Sequence, residues 1–279
     1  MYDASRGILG SVRLHGHLIL EVKGFFIDEI VAVGGMVPHG SGNSLLTNIF
    51  TWSNLLHRTP SQPHHFADRR RTDDYLHGGT LENAFWRTIC GDTLYTGKPS
   101  ARPSSGEHLD YRRARDADIA AFLAWRSAGL DNYRRTSFVD NTSRSSPVPQ
   151  HHKHSGQCTT SFHHAIETAS NSRRFFLTRR GLMGTGPADV RLGDHVYVLL
   201  GSRVPFVGRP RSRPRSCKGE EVKVLIPDLG GERGEKTCWE THRGCYEVVG
   251  DAYVHGIMDG EVRREAEMGF IPPASVYLV

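Results

Sequence analysis

RRFFLTRRGLMGTGPADVRLGDHVYVLLGSRVPFVGRP, residues 173 to 210, decides how the chain is read. RRFFLT, HVYVLLG and VPFVGRP are short runs rich in β-branched and aromatic residues, and glycine or proline interrupts them. Such runs are short for helices and are separated by turn residues, which is the pattern of strands in a small barrel or sandwich. CYEVVGDAYVHGIM, residues 245 to 258, continues it. GLMGTGP, residues 181 to 187, spaces its glycines as G-x-x-G-x-G and ends on proline. No helix follows whose N-terminus could hold a phosphate, so the segment reads as a glycine-rich β-turn.

Toward the N-terminus the periodicity changes. Residues 12 to 33, VRLHGHLILEVKGFFIDEIVAV, alternate loosely and predict one or two strands, with Leu18, Leu20 and Val22 on one face. GGMVPHGSGNS, residues 34 to 44, reads as a loop, and Leu45, Leu46, Ile49, Phe50, Trp52, Leu55 and Leu56 then recur at helical spacing. LENAFWRTICGDTLYTG, residues 81 to 97, predicts a helix capped by Thr80 with Leu81, Phe85, Ile89 and Leu94 near one stripe. Asp116 to Ala128 predicts another, stopped by Gly129, and FHHAIETAS, residues 162 to 170, a short one.

The expected fold class is therefore α+β. A mixed helical and strand part spans 1–130, and a disordered Ser/Arg/His/Pro linker spans 131–161. A small antiparallel β-rich, barrel-like module spans 162–279, with a disordered insertion near 208–240. The 279 residues suffice for a real core. An apolar share of 38%, with 30 glycines and 14 prolines, predicts many turns. The net charge of +5 is mild for this length; it permits acidic partners without requiring nucleic acid. Five cysteines without framework spacing suit a reducing, intracellular compartment. No apolar run is long enough for a membrane helix, and the first residues, MYDASRGILG, lack a signal core.

Candidate chemistry is sparse. Cys217, Cys238, His242 and Cys245 are soft metal ligands in one region, and a zinc-stabilised module is one alternative, although no close Cys pair nucleates the site. HHKH at 151 to 154, with His163 and His164, is a histidine cluster that reads as a solvated linker. Arg209, Arg211, Arg213, Arg215 and Lys218 lie in GRPRSRPRSCK, a segment of the kind that can enter an A·T minor groove, which makes a nucleic-acid-binding module the other alternative. Glu220 and Glu221 dilute that charge and no aromatic is interleaved, so a solvated loop is the plainer reading. Asp194 and His195 are neighbours that a strand would point to opposite faces. His255, Asp259 and Glu261 fall in YVHGIMDGE, residues 253 to 261, which reads as a strand running into a turn. No residue set predicts catalysis, a resident metal or a cofactor.

In combination, the segments resemble the C-terminal region of fungal heterokaryon incompatibility proteins, the HET-domain family. The resemblance rests on F-F-x-T, G-x-x-G-x-G-P, G-D-x-V-x-V-L-x-G and P-F-x-x-R within 173–210, and on YEVVGDAYVHGIMDGE, residues 246 to 261. YDAS at 2 to 5, LEVKGFFIDEI at 20 to 30 and ENAFWRTICGDTLY at 82 to 95 extend it more loosely. It implies a non-enzymatic region acting through protein contacts in fungal non-self recognition and programmed cell death, in the cytoplasm. The family's HET domain, with an aromatic-Ser-x-x-Trp-Gly motif, has no counterpart here, so the expectation is a truncated chain whose partner is a HET domain in cis or in trans. Neither a membrane nor a nucleic-acid partner is expected from the resemblance.

Overall fold

The structure, a computed structural model, describes residues 2–15, 19–38, 42–58, 75, 79–96, 111–137, 153–211, 245–269 and 271–279, without the side chains of 42–44, 57–58, 131–137 and 153–160. In chain order the elements are β1 (Val12–His15), β2 (Ile19–Met36), α1 (Gly42–Arg58), α2 (Leu81–Ile89), β3 (Thr93–Tyr95), β4 (Tyr111–Arg113) and a 3-10 turn at Asp116–Asp118. There follow α3 (Ile119–Ser137), α4 (Lys153–Ser170), β5 (Arg173–Thr178), β6 (Met183–Pro187), β7 (His195–Leu199) and β8 (Phe206–Arg211). The chain then forms β9 (Cys245–Asp251), β10 (Tyr253–Val254), α5 (Glu261–Glu267) and β11 (Ala274–Leu278). They form two compact units, one of Met1–Val33 with Phe176–Val279 and one of Gly34–Phe175.

The first unit holds a closed barrel. Strand β2 pairs with β11 through Leu20–Gly24 and with β7 through Gly24–Glu29. Strand β7 pairs with β8, β8 with β9, and β9 with β11, which completes the ring. The 18 residues of β2 are long enough to serve both neighbours, and a register shift between Phe26 and Asp28 marks the irregularity that lets it turn. Outside the ring, β1 lies along β2, and the sheet continues from β2 through β5 and β6 to β10. Asp28 sits at the shift, buried, and accepts hydrogen bonds from the Glu29 amide at 2.9 Å and the Arg180 amide at 2.6 Å. Burial pushes its carboxyl up against the pull of those amides. It thereby holds the turn between β5 and β6 against β2.

The second unit packs α1 to α4 around aromatic rings. Trp52, Phe85, Trp86, Phe122, Trp125, Phe162 and Phe175 are buried. Trp52 stacks on Phe175 at 5.8 Å between centroids, and Trp86 on Phe122 at 6.4 Å. Thr80 caps α2, its hydroxyl accepting from the Asn83 amide at 3.1 Å. Arg87 on α2 reaches Asn83 Oδ1 at 2.7 Å, Asp92 at 2.5 Å, the Ala114 carbonyl at 2.9 Å and Asp116 at 2.9 Å. Arg113 meets the same Asp92 at 2.7 Å and Arg112 meets Asp118 at 2.6 Å. One guanidinium thus fixes the β3–β4 hairpin and the turn after it onto α2.

The α+β class and the barrel agree with the reading of the sequence; several details differ. The barrel is mixed, not antiparallel, because β11 runs parallel to β9. Residues 1–33, grouped by composition with the N-terminal part, belong to the barrel unit because β1 and β2 pair into its sheet. The helix read over 81–97 ends at Ile89; Asp92 takes φ 52° after Gly91, and Leu94 lies in β3. Gly129 does not stop α3, which runs on to Ser137; there a Cβ would stand 2.7 Å from Leu46. Both ends of the expected 131–161 linker are helical, since α4 begins at Lys153, and residues 208–211 of the expected insertion belong to β8. Residues 138–152 and 212–244 lie outside the described residues. GLMGTGP is not a turn: Met183–Pro187 form β6. A Cβ on Gly184 would enter the Phe176 ring and stand 2.8 Å from the Tyr253 carbonyl.

Gly184→Val should therefore destabilise the barrel unit by about 2 kcal/mol, the usual scale of overpacking a filled site. Urea unfolding measures it. An unchanged midpoint would show that Phe176 has room to move.

Candidate functional site

Alternation along HVYVL places His195, Tyr197 and Leu199 on one face of β7. That face turns into the barrel, where Tyr197 joins Val22, Tyr246 and Val276 in one apolar cluster, flanked by Leu20, Phe26, Leu199 and Leu278. Phe26 meets His195 edge-on at 5.0 Å and Tyr197 at 5.5 Å. Tyr197 meets Tyr246 at 5.0 Å, and His195 lies 5.7 Å from Tyr246. Edge-to-face geometry at these separations adds attraction beyond buried area.

The polar atoms of the three rings form a chain. His195 Nδ1 stands 3.3 Å from the Tyr197 hydroxyl, and the Tyr197 and Tyr246 hydroxyls are hydrogen-bonded to each other. Burial pushes the Tyr197 phenol up, and the neighbouring Tyr246 adds to the rise. Tyr246 is also raised by burial, against the effect of its hydrogen bond with Tyr197. Both phenols are therefore neutral at physiological pH. A barrel of five strands has room only for its own side chains. Tyr197, Tyr246 and His195 fill it, so the arrangement can carry packing and hydrogen bonding in the wall of a solid core.

Asp194 faces away from this interior. Its carboxylate is buried and takes a bidentate contact from Arg209 on β8, Nε to Oδ1 at 2.9 Å and Nη2 to Oδ2 at 3.0 Å. It also accepts the Arg191 amide at 2.8 Å. The backbone of Asp194 is tied to β2 through the Ile30 amide at 2.8 Å. The aspartate of G-D-H-V-Y-V and the arginine of P-F-V-G-R thus meet as a clamp joining three barrel strands. Arg211 pairs with Glu247 on β9, which holds the Glu247 carboxyl below its ordinary value. Two of the five cations considered for nucleic acid are committed to carboxylates in this way. Arg213, Arg215 and Lys218 lie outside the described residues.

YVHGIMDGE is only briefly a strand. Tyr253 and Val254 pair with Thr185 and Gly184, and the chain then turns into α5. Gly260 caps that helix at φ 81°, a conformation that favours glycine, and the Asp259 amide donates to Glu261 at 2.7 Å. The Tyr253 hydroxyl stands 3.0 Å from His255 Nδ1. A segment that periodicity could not reveal crosses this turn. The Asp3 amide donates to the Met258 carbonyl at 3.0 Å, the Ala4 amide to Arg203 at 3.0 Å, and Tyr2 meets Tyr253 edge-on at 5.8 Å. YDAS is therefore part of the barrel unit.

Of the zinc set, Cys245 is buried in β9, and Cys217, Cys238 and His242 lie outside the described residues. His151 and His152 also lie outside them, as does the side chain of His154. His163 accepts the Trp125 indole at 3.2 Å and His164 lies against the Tyr95 ring at 5.6 Å. Among the described residues no group of three or more His, Cys, Asp or Glu side chains is placed to hold a metal ion. Among the same residues no helix is long and apolar enough to cross a membrane.

Residues 17–228 match the family described as the Het-6 beta-barrel domain. The chain is also similar to heterokaryon incompatibility protein 6, OR allele, of Neurospora crassa, at 33% identity over 95 residues. That alignment covers 34% of this chain and 10% of the Neurospora protein's length. No solved structure matches the chain.

Arg209→Ala leaves Asp194 buried without its cation and should destabilise the barrel unit by about 3 kcal/mol, the low end for a broken buried pair because Arg209 is partly open to solvent. Denaturant unfolding of the variant gives the value directly, and an effect within measurement error would remove the clamp from the account. The two phenols predict an alkaline limit. A phenol titrates near 10 when unfolded, so with raised folded values their contribution is complete below about pH 10 and is lost as pH rises further. Tyr197→Phe should flatten that alkaline loss; an unchanged pH profile would show that other groups cause it.

Proposed function

The chain belongs to the Het-6 β-barrel domain family, and from that premise we propose that it takes part in fungal heterokaryon incompatibility as a non-catalytic region acting through protein contacts. The match over residues 17–228 carries this reading, and the name of the similar Neurospora protein supports it. The barrel interior is filled by Tyr197, Tyr246 and their apolar neighbours, which leaves the outer surface as the working part. A filled core with a rigid clamp suits a scaffold that presents a surface to another protein. The partner we infer is a HET domain, joined to this region or supplied by another chain, with growth arrest or death after fusion of unlike cells as the outcome. Incompatibility acts where the contents of fused cells mix, so the working place is the cytoplasm.

The test is expression in Neurospora crassa strains followed by pairing and scoring of growth. The reading expects the chain to alter the response in at least one pairing, and expects Asp194→Ala, which loosens the barrel, to abolish that effect. It further expects Tyr197→Phe to keep it, because a packed phenol takes no part in chemistry. An accumulated, folded chain without effect in any pairing would overturn the reading. Loss of effect in a folded Tyr197→Phe variant would make the interior catalytic.

A further inference from the structure

We propose that β1 is an open docking edge for an extended segment of another protein in which apolar and acidic residues alternate. This rests on the reading above that the chain works through protein contacts. Strand β1 pairs only with β2 among the described residues, so its other edge offers a row of backbone donors and acceptors. It contains no proline and its register with β2 is unbroken, so an added strand can pair along it. All four of its residues are exposed, including Val12 at 61% and Leu14 at 66%, and the preceding Leu9 is exposed at 91%. Three large apolar side chains within six residues in contact with water mark an interaction surface.

The register says what should sit there. Val12 lies opposite Val22 and Leu14 opposite Leu20, and directly opposed residues share a face. Val22 belongs to the barrel's apolar cluster and Leu20 packs on it. The apolar face of the interior therefore continues across β2 and emerges on β1. Every second residue of an added strand would meet this face, and apolar side chains fit it. Arg13 and His15 lie on the other face. His15 is engaged with Glu21 at 2.7 Å, and Glu21 also accepts from Ser275 at 2.7 Å. Arg13 stands opposite Glu21 yet has no carboxylate partner among the described residues. An acidic residue between the apolar ones supplies that partner, and the chain's net charge of +5 favours encounter with an acidic segment.

The test titrates the isotope-labelled full chain, followed by amide NMR shifts, with a short synthetic peptide alternating valine and glutamate and with its valine–lysine counterpart. The expected result is shift changes centred on residues 12–15 and binding roughly tenfold tighter for the glutamate peptide, the scale of exchanging like for opposite cross-strand charges. Arg13→Glu should reverse the preference and Leu14→Lys should weaken both. Equal binding, no binding, or shifts centred elsewhere would overturn the proposal. So would a dimer of the peptide-free chain that Leu14→Lys dissolves, since that would give the edge to a second copy. The fungal assay separates the two readings. An effect on pairing that survives Leu14→Lys removes the edge and keeps the family role; peptide binding with no effect in any pairing does the reverse.

Discussion

The pairing of β2 on both of its edges is the constraint on which the barrel unit depends. One strand receives β11 on one side and β7 on the other, and only then does the sheet close on itself. Closure removes the exposed edges that an open sheet would leave, and it creates an interior that side chains must fill. Phe26, His195, Tyr197 and Tyr246 fill it with rings in edge contact, so the same strand sets both topology and core. Where β2 changes neighbours, Asp28 is buried and binds the turn of the next hairpin. The clamp between Asp194 and Arg209 lies where β2, β7 and β8 run side by side. The two buried carboxylates, Asp28 and Asp194, thus sit where strands are joined.

The second unit follows a different logic. Thr80 caps α2, and the packing of the helices depends on large rings. Arg87 organises what the rings leave open, joining a helix, a hairpin and a turn through four hydrogen-bond partners. Cys90 beside it is fully buried, and burial, with the nearby Asp92, pushes its thiol up to about 12, so it stays a protonated, unreactive packing group at neutral pH. Arg87, Cys90 and Asp92 of ENAFWRTICGD thus each have a structural duty.

Much of this was legible in the sequence, and the failures have physical causes. The strands at RRFFLT, HVYVL and PFVGR announced themselves by composition and by their flanking glycines and prolines. Alternation set Asp194 and His195 on opposite faces, but did not tell that Tyr246 would meet His195 from a strand far along the chain. GLMGTGP misled because glycine runs usually mark turns, whereas here a missing Cβ admits the Phe176 ring. Leu94 kept helical spacing by coincidence; the left-handed Asp92 ends that spacing as a helix. ASVYL was too short to stand out, and its parallel pairing with β9 cannot be read from any local pattern. The crossing of YDAS over the Met258 turn depends on tertiary contacts alone. The Asp194–Arg209 pair had a signal, two motif residues of opposite charge fifteen positions apart, but only the adjacent strands give it meaning.

A surface role makes a demand on the barrel: it must hold still as one body. Native-state amide hydrogen exchange tests this most directly. If β2 closes the ring, the amides of Val22 and Ile27 on β2 and Val276 on β11 should open with the same free energy as Val196 on β7 and Val207 on β8. Exchange of β2 or β11 on a much faster scale, while β7 and β8 stay protected, would contradict closure and with it the account of the barrel as a rigid scaffold.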